Sequence, residues 1–233
     1  MIRLIVHGAR GRMGRALCAL ARDDDAFELA AEIDRDDRGG APPHAHAPCD
    51  VVVDFSSDSG VHHAVSLARQ HHAALLVGTT DLSSQIFDLV DDLARSVPVM
   101  VEPNFALGAA VLTRLALIAA RMLGPEFHLD LIEIHHAAKR DRPSGTACRI
   151  ARRLREQTAA TLPLDRIHSV RAGDAVGQHS LRFSGSGEIL ELTHHATDRM
   201  LFARGALGAA RWLCRNPPGR YTLDDMLSDD TNR

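Results

Sequence analysis

The sequence has little of what nucleic-acid-binding and membrane proteins need. Its 233 residues contain 27 Lys and Arg against 30 Asp and Glu, a formal net charge of -3, so no basic excess is available to neutralise phosphates. Aromatic residues make up 4%, which leaves few rings on which bases stack. The longest apolar segment, residues 105–123, is interrupted by Arg114 and Arg121 and predicts a buried or subunit-facing helix. We therefore expect no nucleic-acid partner and no membrane partner.

Cysteine is scarce and widely spaced. The four cysteines show no C-x-x-C spacing, which argues against a zinc ribbon or a small disulfide scaffold. The apolar run before Gly8 is too short for a signal peptide. Reduced thiols without a cleaved leader predict a cytoplasmic protein, and a hydrophobic content of 45% is sufficient for a buried core.

The first residues have the pattern of a dinucleotide-binding unit. Ile2 to Val6 is a short apolar run typical of a buried parallel strand, and a helical pattern follows from Arg15 to Arg22. Glycines between them allow a tight turn and the close approach of a pyrophosphate to the helix N-terminus. Their spacing is G-x-x-G-x-x-G, so Arg10 replaces the middle glycine of the commoner G-x-G-x-x-G fingerprint. The residues of this glycine turn are Gly8, Ala9, Arg10, Gly11, Arg12, Met13 and Gly14.

An acidic residue stands at the end of the second apolar run, Phe27 to Ile33. Asp34 lies about twenty positions beyond Gly14, where an acidic side chain hydrogen-bonds an adenosine ribose. Its neighbour Arg35 can accept a 2′-phosphate, so NADH and NADPH are both compatible with the pattern. Alternatively, residues 8–14 form a plain turn and Asp34 caps a turn, although strand, glycines, helix, second strand and acid in this order favour cofactor binding.

Three further apolar runs, at residues 50–56, 74–80 and 97–101, predict buried strands separated by helices at 59–71 and 83–95. This alternation is typical of an α/β fold with a doubly wound parallel sheet, in which ligands collect at the carboxyl ends of the strands. Ordinary turn chemistry explains the same residues equally well. The strand ends that this places along a cofactor cleft are Phe55–Ser56, Gly78–Thr80 and Glu102–Phe105.

Beyond Asn104 the pattern changes to consecutive strands. A long helix over 106–123 precedes a strand at 128–134, a helix over 145–158 and strand-like segments at 166–171, 178–183 and 188–195. Strands without long helices between them predict a mixed or antiparallel sheet, hence an α+β domain. A last helix, over 198–214, returns the chain to the first domain. We therefore predict a dinucleotide-binding domain of residues 1–104 plus 205–233 and an inserted domain of residues 105–204.

Residues 133–147 concentrate titratable groups at the end of a strand. The alternation before them puts Leu129, Leu131 and Glu133 on one face, so His135 and His136 lie where the strand ends. One histidine could equally be a core residue and the other a solvent-exposed one, because neighbours on a strand point to opposite faces.

The same stretch contains a helix start. Pro143 fits the first turn of that helix, and Ser144 and Thr146 are capping-type residues. Gly145 permits close approach to the backbone. The unpaired N–H groups of a helix start, together with Lys139 and the histidines, predict a receptor for a small carboxylate or phosphate.

Residues 8–14 and 133–147 together resemble the dihydrodipicolinate reductase family. Similar stretches occur at 78–80, 103–105 and 169–177 and around Arg199, which together span nearly the whole chain. The resemblance implies a Rossmann-like doubly wound parallel sheet with an inserted α+β domain carrying a mixed sheet. It also implies NADH or NADPH as cofactor, a small dicarboxylate substrate of lysine biosynthesis, and a homotetramer built through the inserted domain.

The resemblance carries roles to particular residues. It implies that the glycine turn holds the pyrophosphate and that Asp34 and Arg35 meet the ribose. The nicotinamide would be flanked by Gly78, Thr79, Thr80, Asn104 and Phe105, and the substrate would be bound by His136, Ser144, Gly145 and Thr146. We assign His135 as the general acid, since an imidazole titrates near neutral pH, and Lys139 as its electrostatic partner, a second donor or a carboxylate clamp.

Two departures from the family pattern stand out. The stretch Gly39–Pro48 is much shorter than is usual there, and Glu102 stands where a small residue is often found.

Other functions compete with the reductase. A nucleotide-binding redox sensor without catalysis would need the same first domain, and a reductase of a related imine dicarboxylate would need the same site. A metalloenzyme would need ligands from paired histidines, but neighbouring histidines on regular elements diverge, so we predict no metal. These pairs are His62–His63, His71–His72, His135–His136 and His194–His195.

Overall fold

The computed structural model describes residues 1–34 and 48–229. They divide into two compact units, one built from the chain up to Phe105 and from Met200 onward, the other from Ala106–Arg199. Arg35 and most of the stretch Gly39–Pro48 lie outside the described residues.

The first unit is a parallel sheet of six strands with helices packed against it, which confirms the predicted Rossmann-like fold. Its strand order is β10-β5-β4-β3-β1-β2. The strands are β1 (Ile2–His7), β2 (Phe27–Ile33), β3 (Val51–Asp54), β4 (Ala74–Val77), β5 (Pro98–Val101) and β10 (Gly219–Tyr221). The helices are α1 (Arg12–Arg22), α2 (Asp58–His71), α3 (Ser84–Leu93), α6 (Met200–Leu213) and α7 (Leu223–Ser228).

Burial on both faces explains the uninterrupted apolar runs of the central strands β3 and β4. Strands β3 and β4 are buried along their whole length, and a continuous core joins them to α2 and α3. The registers align Val6 with Val53 and His7 with Asp54. The carboxyl ends of the central strands therefore lie side by side, where the sequence predicted the cofactor residues.

Three elements of the first unit differ from expectation. Helix α1 begins at Arg12, three residues before the predicted start, because Gly11 is its N-cap and Gly14 lies within its first turn. Strand β10 and helix α7 were not predicted. Three residues are too few to show a period of two, and β10 is specified by its parallel pairing with β5.

The second unit is a mixed sheet of four strands, as predicted, in the order β7-β6-β8-β9. Strands β6 and β7 are parallel, whereas β6 with β8 and β8 with β9 are antiparallel. Its elements are α4 (Leu107–Leu123), β6 (His128–His135), α5 (Gly145–Gln157), β7 (Ile167–Arg171), β8 (Gly177–Gly185) and β9 (Glu188–Ala196).

Helices α4 and α5 build the core of the second unit with the sheet. Leu112, Leu131, Ile150 and Leu181 come from four different elements and are each at most 4% exposed. The opposite face of α4 carries exposed apolar side chains, among them Met122. Among the described residues, no helix has both the length and the apolar character needed to cross a membrane.

Candidate active site

The glycine turn between β1 and α1 has no room for side chains. Gly8 has φ +82°, and a Cβ there would lie 2.4 Å from the carbonyl oxygen of Phe55. A Cβ at Gly14 would lie 2.1 Å from the carbonyl oxygen of Gly8. Gly11 provides no side-chain cap, so the first turn of α1 offers its N–H groups to an anion.

The acidic residue predicted to meet the ribose lies beside this turn. Asp34 follows β2, and its Oδ2 accepts a hydrogen bond of 2.7 Å from the backbone N–H of Arg10. A pocket is lined by His7, Gly8, Gly11, Asp34, Phe55, Ser56 and Ser57. A tight glycine turn, an open helix start and a carboxylate in one pocket fit a dinucleotide.

Asp54 is the last residue of β3, and the sequence predicted no role for it. Its carboxylate is fully buried and contacts Nδ1 of His7 at 2.6 Å. Its other oxygen accepts a hydrogen bond of 2.6 Å from Thr79, and Ser56 also donates to the carboxylate at 2.6 Å. The hydroxyl of Thr79 is therefore committed to the protein. The sequence feature that could have identified Asp54 is a carboxylate directly after the apolar run Val51–Val53.

The residues predicted to flank the nicotinamide differ in exposure. Phe105 is 1% exposed and packs against Phe55, with ring centroids 5.9 Å apart. Gly78 is required for space, since a Cβ there would lie 2.2 Å from the Phe55 ring. Thr80 is exposed and Asn104 half-buried. Thr80 and Asn104 are thus the side chains of this group that solvent reaches.

Glu102 has a structural partner. It is 2% exposed, and its Oε1 accepts a hydrogen bond of 3.1 Å from the backbone N–H of Leu223, the first residue of α7. The acidic side chain that departs from the family pattern therefore bonds to the C-terminal segment.

The second unit places an ion pair behind His135. The period of two puts Glu133 and His135 on the same buried face of β6, and the carboxylate of Glu133 contacts Nδ1 of His135. Arg171, which β7 holds opposite His135, grips both oxygens of Glu133 at 2.8 and 3.0 Å. Glu133 and Arg171 both lie in stretches that are similar to the family, but the sequence predicted no role for either of them.

The contacts that Glu133 makes with Arg171 and with His135 influence the protonation of Glu133 and His135. Burial, the largest influence, raises the pKa of Glu133, but hydrogen bonds from Arg171 and Ser169 outweigh it and leave the pKa below its ordinary value. Burial lowers the pKa of His135 more than the Glu133 carboxylate raises it. His135 is therefore a neutral ring near pH 7, with its hydrogen on Nδ1 facing Glu133 and its Nε2 free to receive a proton.

The space around Nε2 of His135 is narrow. A Cβ at Gly177 would lie 3.2 Å from this nitrogen. The ring of His179 packs edge-on against His135, with centroids 5.2 Å apart and planes at 74°.

The loop between β6 and α5 presents opposite charges. Nζ of Lys139 lies 2.8 Å from Asp141. Lys139 is the largest cause of a lowered Asp141 pKa, and the backbone N–H of Gly145 contributes to it. Lys139 also lowers the pKa of His135, so the structure brings these two predicted catalytic groups within electrostatic reach. His136, the next residue, is half-buried.

Helix α5 begins at Gly145, as predicted. Ser144 is the N-cap, and its hydroxyl accepts a hydrogen bond of 3.2 Å from the N–H of Ala147. The prediction that Pro143 lies in the first turn was wrong, because Ser144 is still extended, with ψ 153°. Ser144 is 1% exposed, whereas Gly145 is exposed and Thr146 half-buried.

The histidine pairs form no metal site in the part of the chain that the structure describes. No group of three or more His, Cys, Asp or Glu side chains there is arranged to hold an ion. One ring nitrogen of His135, Nδ1, instead contacts the carboxylate of Glu133.

Two family models match the chain. The one described as "Dihydrodipicolinate reductase, N-terminus" matches residues 2–105, and the one described as "Dihydrodipicolinate reductase, C-terminus" matches residues 108–227. The chain belongs to the dihydrodipicolinate reductase family. The predicted family is confirmed.

Individual relatives agree with this membership. The 4-hydroxy-tetrahydrodipicolinate reductase of Xanthomonas campestris pv. campestris (strain B100) is 39% identical over 242 aligned residues, covering 97% of this chain and 98% of the relative. The enzyme of the same name from Campylobacter jejuni subsp. jejuni serotype O:6 is 34% identical over 246, covering 97% and 99%. A solved dipicolinate-bound dihydrodipicolinate reductase from Paenisporosarcina sp. TG-14 gives a TM-score of 0.81 at 25% identity, covering 95% and 97%. The protein is accordingly an oxidoreductase that uses a nicotinamide cofactor, as predicted.

Proposed function

We propose that this reductase converts 4-hydroxy-tetrahydrodipicolinate into tetrahydrodipicolinate, with NADH or NADPH, in diaminopimelate and lysine biosynthesis. The reaction consumes one hydride and one proton and releases one water. One observation supports the proton donation in this reaction. It is the buried imidazole of His135, which a carboxylate holds and which lies near a lysine and a helix start. The names of the relatives support the substrate.

The first unit would hold the cofactor. The backbone of residues 8–14 and the open start of α1 would bind the pyrophosphate, and Asp34 would hydrogen-bond the ribose, with Arg35 available for a 2′-phosphate. When bound, a reduced nicotinamide supplies the hydride. Gly78, Thr79, Thr80, Asn104 and Phe105 would border it, with Thr79 and Phe105 acting as supports because their side chains are buried.

The second unit would hold the dicarboxylate. The N–H groups of Gly145 and Thr146 open α5, and Lys139 adds a full positive charge, so one substrate carboxylate would bind there. His136 would contribute a further hydrogen bond. Ser144 would support this turn from beneath, because its hydroxyl is buried and caps the helix.

His135 would supply the proton. Binding of a dicarboxylate next to the ring favours the imidazolium, whose Nδ1–H stays on Glu133 while Nε2–H donates to the substrate. Glu133 balances the charge that the ring acquires, and Arg171 keeps Glu133 anionic. Lys139 would act as electrostatic partner and carboxylate clamp.

The test is cofactor oxidation with freshly condensed pyruvate and aspartate semialdehyde, measured separately with NADH and NADPH. We expect turnover with at least one cofactor, and a loss of about 10²- to 10⁴-fold in kcat for His135→Ala, the usual worth of general acid catalysis. Lys139→Ala should mainly raise KM. The exposed His128→Ala is the control, since it changes a histidine of the same strand away from the site. Near-normal kcat in His135→Ala would remove His135 from its role.

We also propose a cytoplasmic homotetramer assembled through the second unit. Strand β9 supports this, since it lies at the sheet edge with Ile189 54% and Leu190 38% exposed. Cys18, Cys49, Cys148 and Cys214 are free thiols, which suits a reducing compartment. Light scattering of the purified protein should give a mass near four times 25.3 kDa, and Ile189→Lys should lower it.

A further inference from the structure

His179 is a buried histidine for which the proposed chemistry has no use. It lies on β8 directly across from Glu133 of β6 and is 4% exposed. Burial lowers its pKa to about 3, so the ring is neutral at any physiological pH and is no proton donor there. Burying a polar ring costs free energy unless its contacts compensate for the lost hydration, and His179 makes two such contacts.

The first contact reaches the start of α5. Nε2 of His179 lies 3.1 Å from the hydroxyl oxygen of Ser144, the same oxygen that accepts the N–H of Ala147. One hydroxyl therefore connects the sheet to the first turn of the helix. That turn carries the N–H groups of Gly145 and Thr146.

The second contact reaches His135. The edge of the His179 ring packs on the imidazole of His135 from one side, while Glu133 holds Nδ1 of His135 from another. A ring fixed by a hydrogen bond and by an aromatic neighbour keeps Nε2 in one direction.

The contact between His179 and Ser144 holds whichever ring nitrogen carries the hydrogen. With the hydrogen on Nε2 the ring donates to the Ser144 oxygen, and with the hydrogen on Nδ1 the ring accepts from the Ser144 hydroxyl. Each choice leaves one buried donor, the Ser144 O–H or the His179 Nδ1–H, without a partner among the described residues. In both cases the ring is joined to the residue that caps α5.

We propose that His179 is a positioning residue that fixes two parts of the substrate site at once, the first turn of α5 through Ser144 and the ring of His135 through its edge. This rests on the proposed function, in which α5 binds a substrate carboxylate and His135 donates the proton. Neither role requires His179 to touch the substrate.

Three variants separate the two contacts. His179→Gln keeps a donor near the position of Nε2 but loses the ring, Ser144→Ala loses the hydroxyl but keeps the ring, and His179→Leu loses both. His128→Leu, an exposed histidine of the same sheet, is the matched control. The probe for binding is pyridine-2,6-dicarboxylate with the cofactor-loaded enzyme, measured by calorimetry, alongside kcat for the substrate.

We expect a split between binding and turnover. Ser144→Ala should weaken dicarboxylate binding about tenfold, the worth of one hydrogen bond, with kcat nearly unchanged. His179→Gln should bind within about threefold of the parent but turn over about three- to tenfold more slowly, the worth of an aromatic pair. His179→Leu should show both losses, and combining it with Ser144→Ala should weaken binding by less than the product of the two single effects, because both act through the Ser144 hydroxyl. Unchanged binding and turnover in a folded His179→Leu would overturn the proposal, as would equal loss of both in all three variants.

Two readouts do not depend on turnover. Nitrogen-15 NMR of the unliganded protein at pH 6 should show a neutral His179 ring whose Nε2 signal changes in Ser144→Ala, and a charged His179 or an unchanged Nε2 signal would overturn the contact with Ser144. Amide exchange of Ala147 should be faster in His179→Leu than in the parent and in His179→Gln, and unchanged exchange would overturn the link to α5. If the parent neither binds the dicarboxylate nor turns over, the proposed function fails, while these two measurements still decide whether His179 positions Ser144.

Discussion

Lys139 holds Asp141, two residues further along the same loop, at 2.8 Å. Because the backbone N–H of Gly145 also stabilises the Asp141 carboxylate, an internal anion occupies two of the groups that the substrate would use. Asp141 is 54% exposed, so the substrate can displace it at modest cost.

Asp141→Asn should therefore bind pyridine-2,6-dicarboxylate more tightly. Removing an exposed ion pair worth about 0.2–1 kcal/mol predicts a Kd lower by about 1.5- to 5-fold. The gain should shrink at high salt, because salt screens the competing charges. Calorimetry with Asp165→Asn, an exposed aspartate of the same unit, as control checks this. Weaker binding would mean that Asp141 instead orients Lys139 for the substrate.

Gly177→Ala should slow the reaction without unfolding the protein. The added methyl would lie 3.2 Å from Nε2 and 3.3 Å from Cδ2 of His135, tighter than ordinary contact, so either the ring moves or the substrate loses its approach. A misplaced proton donor predicts a kcat lower by about 10-fold to 100-fold, with cofactor affinity unchanged. Gly208→Ala, where a Cβ meets nothing within 4 Å, is the control. A normal kcat would show that Nε2 is used from another side.

The pH dependence of kcat/KM should report His135 in the free enzyme. Burial lowers its pKa below 6.5, so the imidazolium fraction, and with it kcat/KM, should fall as pH rises through that lowered value. In kcat the fall should occur at higher pH, because bound carboxylates favour the charged ring. Rate profiles from about pH 5 to 9 measure both limbs. Coincident limbs would contradict the claim that substrate charge stabilises the imidazolium.

Glu133→Gln should move the kcat/KM limb further toward acid. The carboxylate raises the pKa of His135 by hydrogen bonding and by its charge, so its removal leaves burial and the charges of Lys139 and Arg171, all of which lower that pKa. The exposed Glu126→Gln should leave the limb in place. A limb that moves toward alkali would reverse the assigned electrostatics.

Sequence periodicity alone predicted the features that depend on a single strand or helix. Short apolar runs identified β1 to β5, of which β3 and β4 are buried on both faces. The alternation along β6 by itself placed Glu133 with the apolar side chains of that strand. The same alternation could not show what Glu133 contacts. Arg171 is 38 residues away, and it reaches Glu133 only because β7 pairs with β6 in one register.

The remaining site residues were missed for the same physical reason. His179 meets Ser144 across 35 residues through the antiparallel register of β8, and Asp54 meets Thr79 across 25 through neighbouring parallel strands. No local pattern encodes such pairs. Ser144 was predicted only in part. Its residue type predicted a helix cap, which the structure has, but its burial depends on packing and could not be predicted from the motif.

The acid sensitivity of the fold should depend on His179. Its pKa is about 3 in the folded protein and ordinarily 6.5. Between these two pH values the ring is therefore protonated in the unfolded chain and neutral in the folded protein. This contribution to the free energy of unfolding is fully present above pH 6.5 and decreases as the pH falls from 6.5 toward 3. The decrease is about 2 kcal/mol at pH 5. His179→Gln should therefore lose less free energy of unfolding between pH 7 and 5 than the parent, as measured by urea denaturation. His128→Gln should behave like the parent, and an equal loss in His179→Gln would show that His179 is protonated in the folded protein at pH 5.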